Sequence, residues 1–105
     1  MNWQETVGHM GVQGIRKLAA EFDVWFEDAP NNRVRVKVYE TREGHYVGIS
    51  NYRIQNPAQA APYRSEFDCP TVDAALADSL GGLRAFWPGN EAAQKTTKWL
   101  VDPDF

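Results

Sequence analysis

Residues 12–28, VQGIRKLAAEFDVWFED, decide the fold. Val12, Ile15, Leu18, Ala19, Phe22, Trp25 and Phe26 recur at steps of three and four, which gathers them on one stripe of an α-helix. Arg16, Lys17, Glu21 and Asp23 fall off that stripe. The spacing predicts a helix ending near Asp28, before the turn cluster Ala29-Pro30-Asn31-Asn32. Glu27 and Asp28 then lie at the helix C-terminus, where the macrodipole disfavours acids, and offer an acidic spot to a basic partner.

Upstream, residues 1–11 carry little periodicity, and Gly8, Gly11 and Gly14 disfavour a helix, so a poorly ordered arm is expected there. Downstream, residues 33–54 read as a hairpin. Val34, Val36 and Val38 alternate with Arg33, Arg35, Lys37 and Tyr39, the period of a half-buried strand. Thr41-Arg42-Glu43-Gly44 supplies a four-residue turn, with Gly44 suited to positive φ. That turn pairs Val38 with Val47, Val36 with Ile49 and Tyr39 with Tyr46, and sets Arg35 opposite Ser50. The segment 55–62, QNPAQAAP, is a proline-bounded connection, and residues 63–69 are the expected third strand, stopped by Pro70.

Thr71 is a good N-cap with Asp73 in the first turn behind it. Val72, Ala75, Leu76, Ser79, Leu80, Leu83, Phe86 and Trp87 keep helical spacing up to Pro88. Gly81-Gly82 inside this stretch calls either for close backbone packing or for a break into two helices. Residues 88–105 are a C-terminal extension, with one helical turn at 91–94 and an apolar piece at 98–101. The expected class is α+β, in the order α-β-β-β-α with a short tail. It forms a three-stranded antiparallel meander with both helices packed on one face.

That order is similar in topology to double-stranded-RNA-binding domains, and its strand–strand–strand–helix part resembles HicB-type antitoxins. The first resemblance implies an RNA partner. At the start of the last helix, however, Thr71-Val72-Asp73 stands where such a domain carries lysines for phosphate.

Composition narrows the function classes. A chain of 105 residues makes one domain with one modest core. No apolar run approaches the roughly 18 residues of a membrane span, and the N-terminus lacks a basic and apolar leader. The single cysteine, Cys69, permits no internal disulfide and fits a reducing, cytoplasmic setting. A net charge of −3 argues against bulk affinity for nucleic acid, and 12% aromatic residues with 4 Trp are too many anchors for a disordered chain.

The most distinctive surface is the expected outer face of the sheet: Arg33, Arg35, Lys37, Tyr39, Tyr46, Ser50 and Tyr52. Arg and Tyr are favoured interface anchors, and the same mix contacts phosphates and stacks on bases. The plainer alternative is a face neutralised by Arg64, Glu66 and Asp68 on the neighbouring strand.

Other constellations are weaker. Cys69 and His45 are placed to approach each other as nucleophile and base, but no third group orients them, and a small core cysteine is the commoner reading. His9 and His45 have no second ligand at metal spacing, and Glu66/Asp68 and Asp102/Asp104 are pairs that ordinarily face water. Gly8, Gly11 and Gly14 do not make a phosphate loop. Trp25, Trp87 and Trp99 each end an apolar stripe and are assigned to the core, while Trp3 and Phe105 pin the two ends.

The expectation is a small non-enzymatic protein-binding module without cofactor or metal, acting through Arg33, Arg35, Lys37, Tyr39, Tyr46 and Tyr52. Accessory or inhibitor proteins of phages and mobile elements share this style. RNA binding through the same face is the alternative.

Overall fold

Residues 12–28 do not form a helix. In the computed structural model, which describes residues 2–105, they carry a ten-residue strand, β1 (Arg16–Trp25). Ala20, Phe22 and Val24 are half-buried and alternate with the exposed Glu21, Asp23 and Trp25. Phe22, Val24 and Trp25 are residue types that suit a pleated, half-buried surface. A bulge disguises this pattern. Leu18 pairs with Tyr39 and Ala20 with Val38, so Ala19 is an extra residue in the ladder. The insertion reverses the phase of the alternation. Leu18 and Phe22, four apart as on a helix, therefore stand on opposite faces.

The observed order is thus β-β-β-β-α-α-β, and the expected α-β-β-β-α arrangement with two helices on one face is overturned. β1, β2 (Arg33–Thr41) and β3 (Tyr46–Ser50) form an antiparallel sheet in that order. The meander is real, but its first strand is the stretch read as a helix.

The β2–β3 register is one residue from the expected one. Val36 lies opposite Ser50, Lys37 opposite Ile49, Val38 opposite Gly48, Tyr39 opposite Val47 and Glu40 opposite Tyr46. The turn is the cause. The Thr41 amide donates to the His45 carbonyl at 2.8 Å, which closes a three-residue loop of Arg42, Glu43 and Gly44, with Gly44 at φ +86°. A loop one residue shorter than expected moves each partner by one position and sends alternate side chains to the other face.

β4 (Tyr52–Gln55) pairs with β5 (Lys98–Val101) in a second, two-stranded sheet. Asn51 links the sheets. Its amide donates to the Arg35 carbonyl, its side-chain oxygen accepts from the Arg35 amide, and its carbonyl accepts from the Asp102 amide, each at 2.9 Å. The expected third strand, residues 63–69, instead makes two isolated bridges, Tyr46–Cys69 and Ile54–Tyr63. Between them Arg64 turns toward Asp102 and the Ser50 carbonyl, and Ser65 donates to Asp78, so no ladder forms.

The helix α1 (Val72–Phe86) is capped by Thr71 Oγ1, which accepts from the Ala74 amide at 3.0 Å. It packs against β3, β2 and β4 and runs unbroken through both glycines. Gly82 is needed for close approach, because a Cβ there meets Ser65 Cβ at 2.7 Å. Gly48 is needed for the same reason, with its Cβ position 2.4 Å from the Ala75 carbonyl oxygen. The short helix α2 (Glu91–Thr96) follows and is capped by Asn90.

Val34, Val36, Val38, Ile54, Ala75 and Leu83 make the buried core. Trp99 of β5 extends it, with its ring 6.2 Å from Phe26, 5.7 Å from Tyr52 and 5.5 Å from Trp87. The radius of gyration, 15.7 Å, exceeds the roughly 13 Å of a compact chain of this size. One helix of 15 residues, about 22 Å long, is shorter than strands of nine and ten residues at about 30 Å. The hairpin therefore outruns its cover.

Candidate functional site

The side of β2 turned away from α1 carries Arg33, Arg35, Lys37 and Tyr39, and β1 sets Trp25, Asp23, Glu21 and Leu18 directly opposite them. Each cation is held. Arg33 reaches Asp23 at 3.2 Å, and Arg35 reaches Glu21 at 2.8 Å and Asp23 at 3.4 Å. Lys37 donates to the Phe105 carbonyl at 2.6 Å and sits over the Phe105 ring. Arg16 covers Tyr39, with 3.7 Å from guanidinium carbon to ring centroid. Neutralisation of this face comes from Glu21 and Asp23, not from residues 63–69. Arg64 instead serves Glu66 and the buried Asp102, and Asp68 lies 3.7 Å from His45.

Three of the six sequence-predicted residues converge. Arg33, Arg35 and Tyr52 line an open groove of about 280 Å³ together with Pro30, Asn31 and Asn51. Asn31 and Asn32 hold left-handed backbone at φ 56° and 54°, which folds the β1–β2 turn beside the guanidinium groups. Trp25 stands next to them, 73% exposed, with the Arg33 guanidinium 5.3 Å from its ring. Lys37 and Tyr39 lie further along the same face under Phe105 and Arg16. Tyr46 leaves the group. The register puts it opposite Glu40 on the α1 side, where it packs against the core. Ser50 is buried and donates to the Tyr52 carbonyl at 2.6 Å.

Sequence reasoning missed Trp25, which it assigned to the core with Trp87 and Trp99. Those two do pack in the core, while Trp25 faces water. The signal was present in the alternation Ala20-Glu21-Phe22-Asp23-Val24-Trp25, which places Trp25 on the side of the acids. The acidic spot at Glu27 and Asp28 is also not a helix end. Asp28 sits in the turn at φ 71°, and Arg84 meets the Glu27 carbonyl at 3.0 Å and the Asp28 carboxylate at 3.5 Å.

Cys69 lies at the bridge to Tyr46, and its thiol hydrogen bonds to the Phe67 carbonyl. Burial pushes the Cys69 thiol up, and the nearby Asp78 and Asp68 carboxylates push it the same way. These surroundings favour the thiol over the nucleophilic thiolate, and His45 turns to Asp68. Glu66 and Asp102 both hold Arg64, so neither acidic pair stands free. Among the described residues no three His, Cys, Asp or Glu gather as a metal site, and no helix is long and apolar enough to cross a membrane.

No protein-family model, no curated protein and no solved structure matches the chain.

Proposed function

We propose that the protein is a non-enzymatic protein-binding module that takes an acidic segment of a partner at the groove beside the β1–β2 turn. Trp25, Arg33, Arg35 and Tyr52 are its contact residues. One observation carries the reading: an exposed tryptophan and two guanidinium groups stand together on a face that the core does not use. Trp, Tyr and Arg are the residue types that dominate binding energy at interfaces. A partner carboxylate entering the groove competes with Glu21 and Asp23 for the same guanidinium groups, so displacement of an internal acid accompanies binding. RNA is the less favoured partner, because a chain of net charge −3 lacks the basic excess that affinity for a phosphate backbone needs. A cytoplasmic setting accords with the lone unpaired cysteine.

The test is capture from source-cell lysate, with and without nuclease, by the wild-type chain, by the W25A/R33A double variant, and by a K95A/K98A control that is altered elsewhere on the surface. The reading expects a nuclease-resistant protein partner that the control retains and the double variant loses, with the melting temperature of all three nearly equal. Capture retained by W25A/R33A, or abolished by nuclease, overturns it.

A further inference from the structure

The two edges of the three-stranded sheet are not alike. Beside β3, residues 63–69 lie against the chain through the Tyr46–Cys69 bridge. β1 is the other edge, ten residues long, and among the described residues no strand lies across it. An uncovered edge of this length is a template for another strand, and proteins either blunt such edges or use them.

The charges along β1 are ordered. Arg16 and Lys17 occupy its first two positions, and Glu21 and Asp23 its second half. In an unbroken strand Arg16 and Asp23, seven residues apart, point to opposite faces. The extra residue Ala19 corrects the phase. Arg16 pairs with Thr41 and Asp23 with Arg35, so both belong to the outer face. Leu18, 48% exposed, shares that face with Glu21. A two-fold axis through Ala19 and Ala20 then sets Arg16 of one strand opposite Asp23 of an identical antiparallel strand, and Asp23 opposite Arg16. Leu18 and Glu21 exchange in the same way. The edge is complementary to itself in face, and in charge at Arg16 and Asp23, as a two-fold interface requires, while Lys17 meets Phe22 on the other face.

We infer that β1 is a self-association edge, where a second copy of this chain adds antiparallel through Arg16–Asp23 pairs to make a continuous six-stranded sheet. The bulge sets the register, since only pairing centred on it keeps the opposed side chains on matching faces. A junction of two strands lies near or below the roughly 1,200 Å² of small specific interfaces, the range of weak and transient encounters.

Sedimentation equilibrium across a concentration series tests this with four chains: wild type, R16E, D23R and R16E/D23R. Wild type dimerises, and each single reversal sets like charges together twice and weakens association by about tenfold or more. The double reversal restores it. An equimolar mixture of R16E and D23R associates more tightly than either alone, because both pairs are then opposite in sign. Circular dichroism of the singles confirms that both remain folded. The inference is overturned by a wild type that stays monomeric to about 1 mM, which leaves the edge to a strand of another protein. It is equally overturned by dimers indifferent to reversal, or by a mixture that fails to associate.

Discussion

The two sides of β2 are built on opposite terms. Toward α1, Val34, Val36 and Val38 have no exposed surface and are sealed by a helix that fits only because Gly48 and Gly82 lack side chains. Away from α1, Arg33, Arg35, Lys37 and Tyr39 are each matched by a group that water also reaches, from β1 or the C-terminal tail. The first side is held by shape, and close-packed shape tolerates little change. The second is held by exposed ion pairs, which contribute little and exchange readily. Stability and recognition are thereby assigned to opposite faces of one strand, and changes on the two sides have separable consequences.

The largest expected effect lies in the polar clasp between the sheets. Asp102 is buried, its partner Arg64 is half-buried, and Arg64 also holds Glu66 and the Ser50 carbonyl. Arg64→Ala leaves a buried carboxylate unpaired and is expected to cost about 3–5 kcal/mol in chemical denaturation. Next comes Gly48→Ala, which drives a Cβ into the Ala75 backbone and is expected to cost about 2–3 kcal/mol. A Gly48→Ala chain as stable as wild type breaks the account of how α1 is seated.

On the other side, the double change R33A/R35A removes three exposed ion pairs and is expected to shift stability by no more than about 1 kcal/mol in the same assay. A loss comparable to that of Arg64→Ala erases the distinction between the faces. The smallest effect concerns Cys69. Its raised thiol leaves less thiolate at pH 7, so alkylation by iodoacetamide is slower than for the chain unfolded in guanidinium. The folded rate profile moves to higher pH. Equal rates in the two states contradict the assignment of Cys69 to acidic, partly buried surroundings.

What the sequence made legible follows how cleanly each element obeys its period. β2 alternates without interruption over Arg33–Thr41, and α1 has a cap, a stripe and a stop, so both were readable. β1 obeys the same alternation as β2, but the single extra residue Ala19 divides it into halves of opposite phase, and the sum imitates a helical stripe. The β2–β3 register turned on whether Thr41 belongs to the loop or to the strand, a choice composition does not make. The candidate site inherited these outcomes. Arg33 and Arg35 were found because β2 was read correctly, Tyr46 was misplaced by the register, and Trp25 was hidden by the bulge.

Hydroxyl-radical footprinting of the free and partner-bound chain tests where recognition lies, because the outer face of β2 and the segment beside β3 each carry an exposed aromatic reporter. Trp25 marks the outer face, and Phe67, 65% exposed, marks the segment beside β3. The account predicts that partner binding suppresses oxidation of Trp25 several-fold and leaves Phe67 unchanged. Protection of Phe67 with Trp25 still open to oxidation contradicts it and moves recognition to the opposite edge of the sheet.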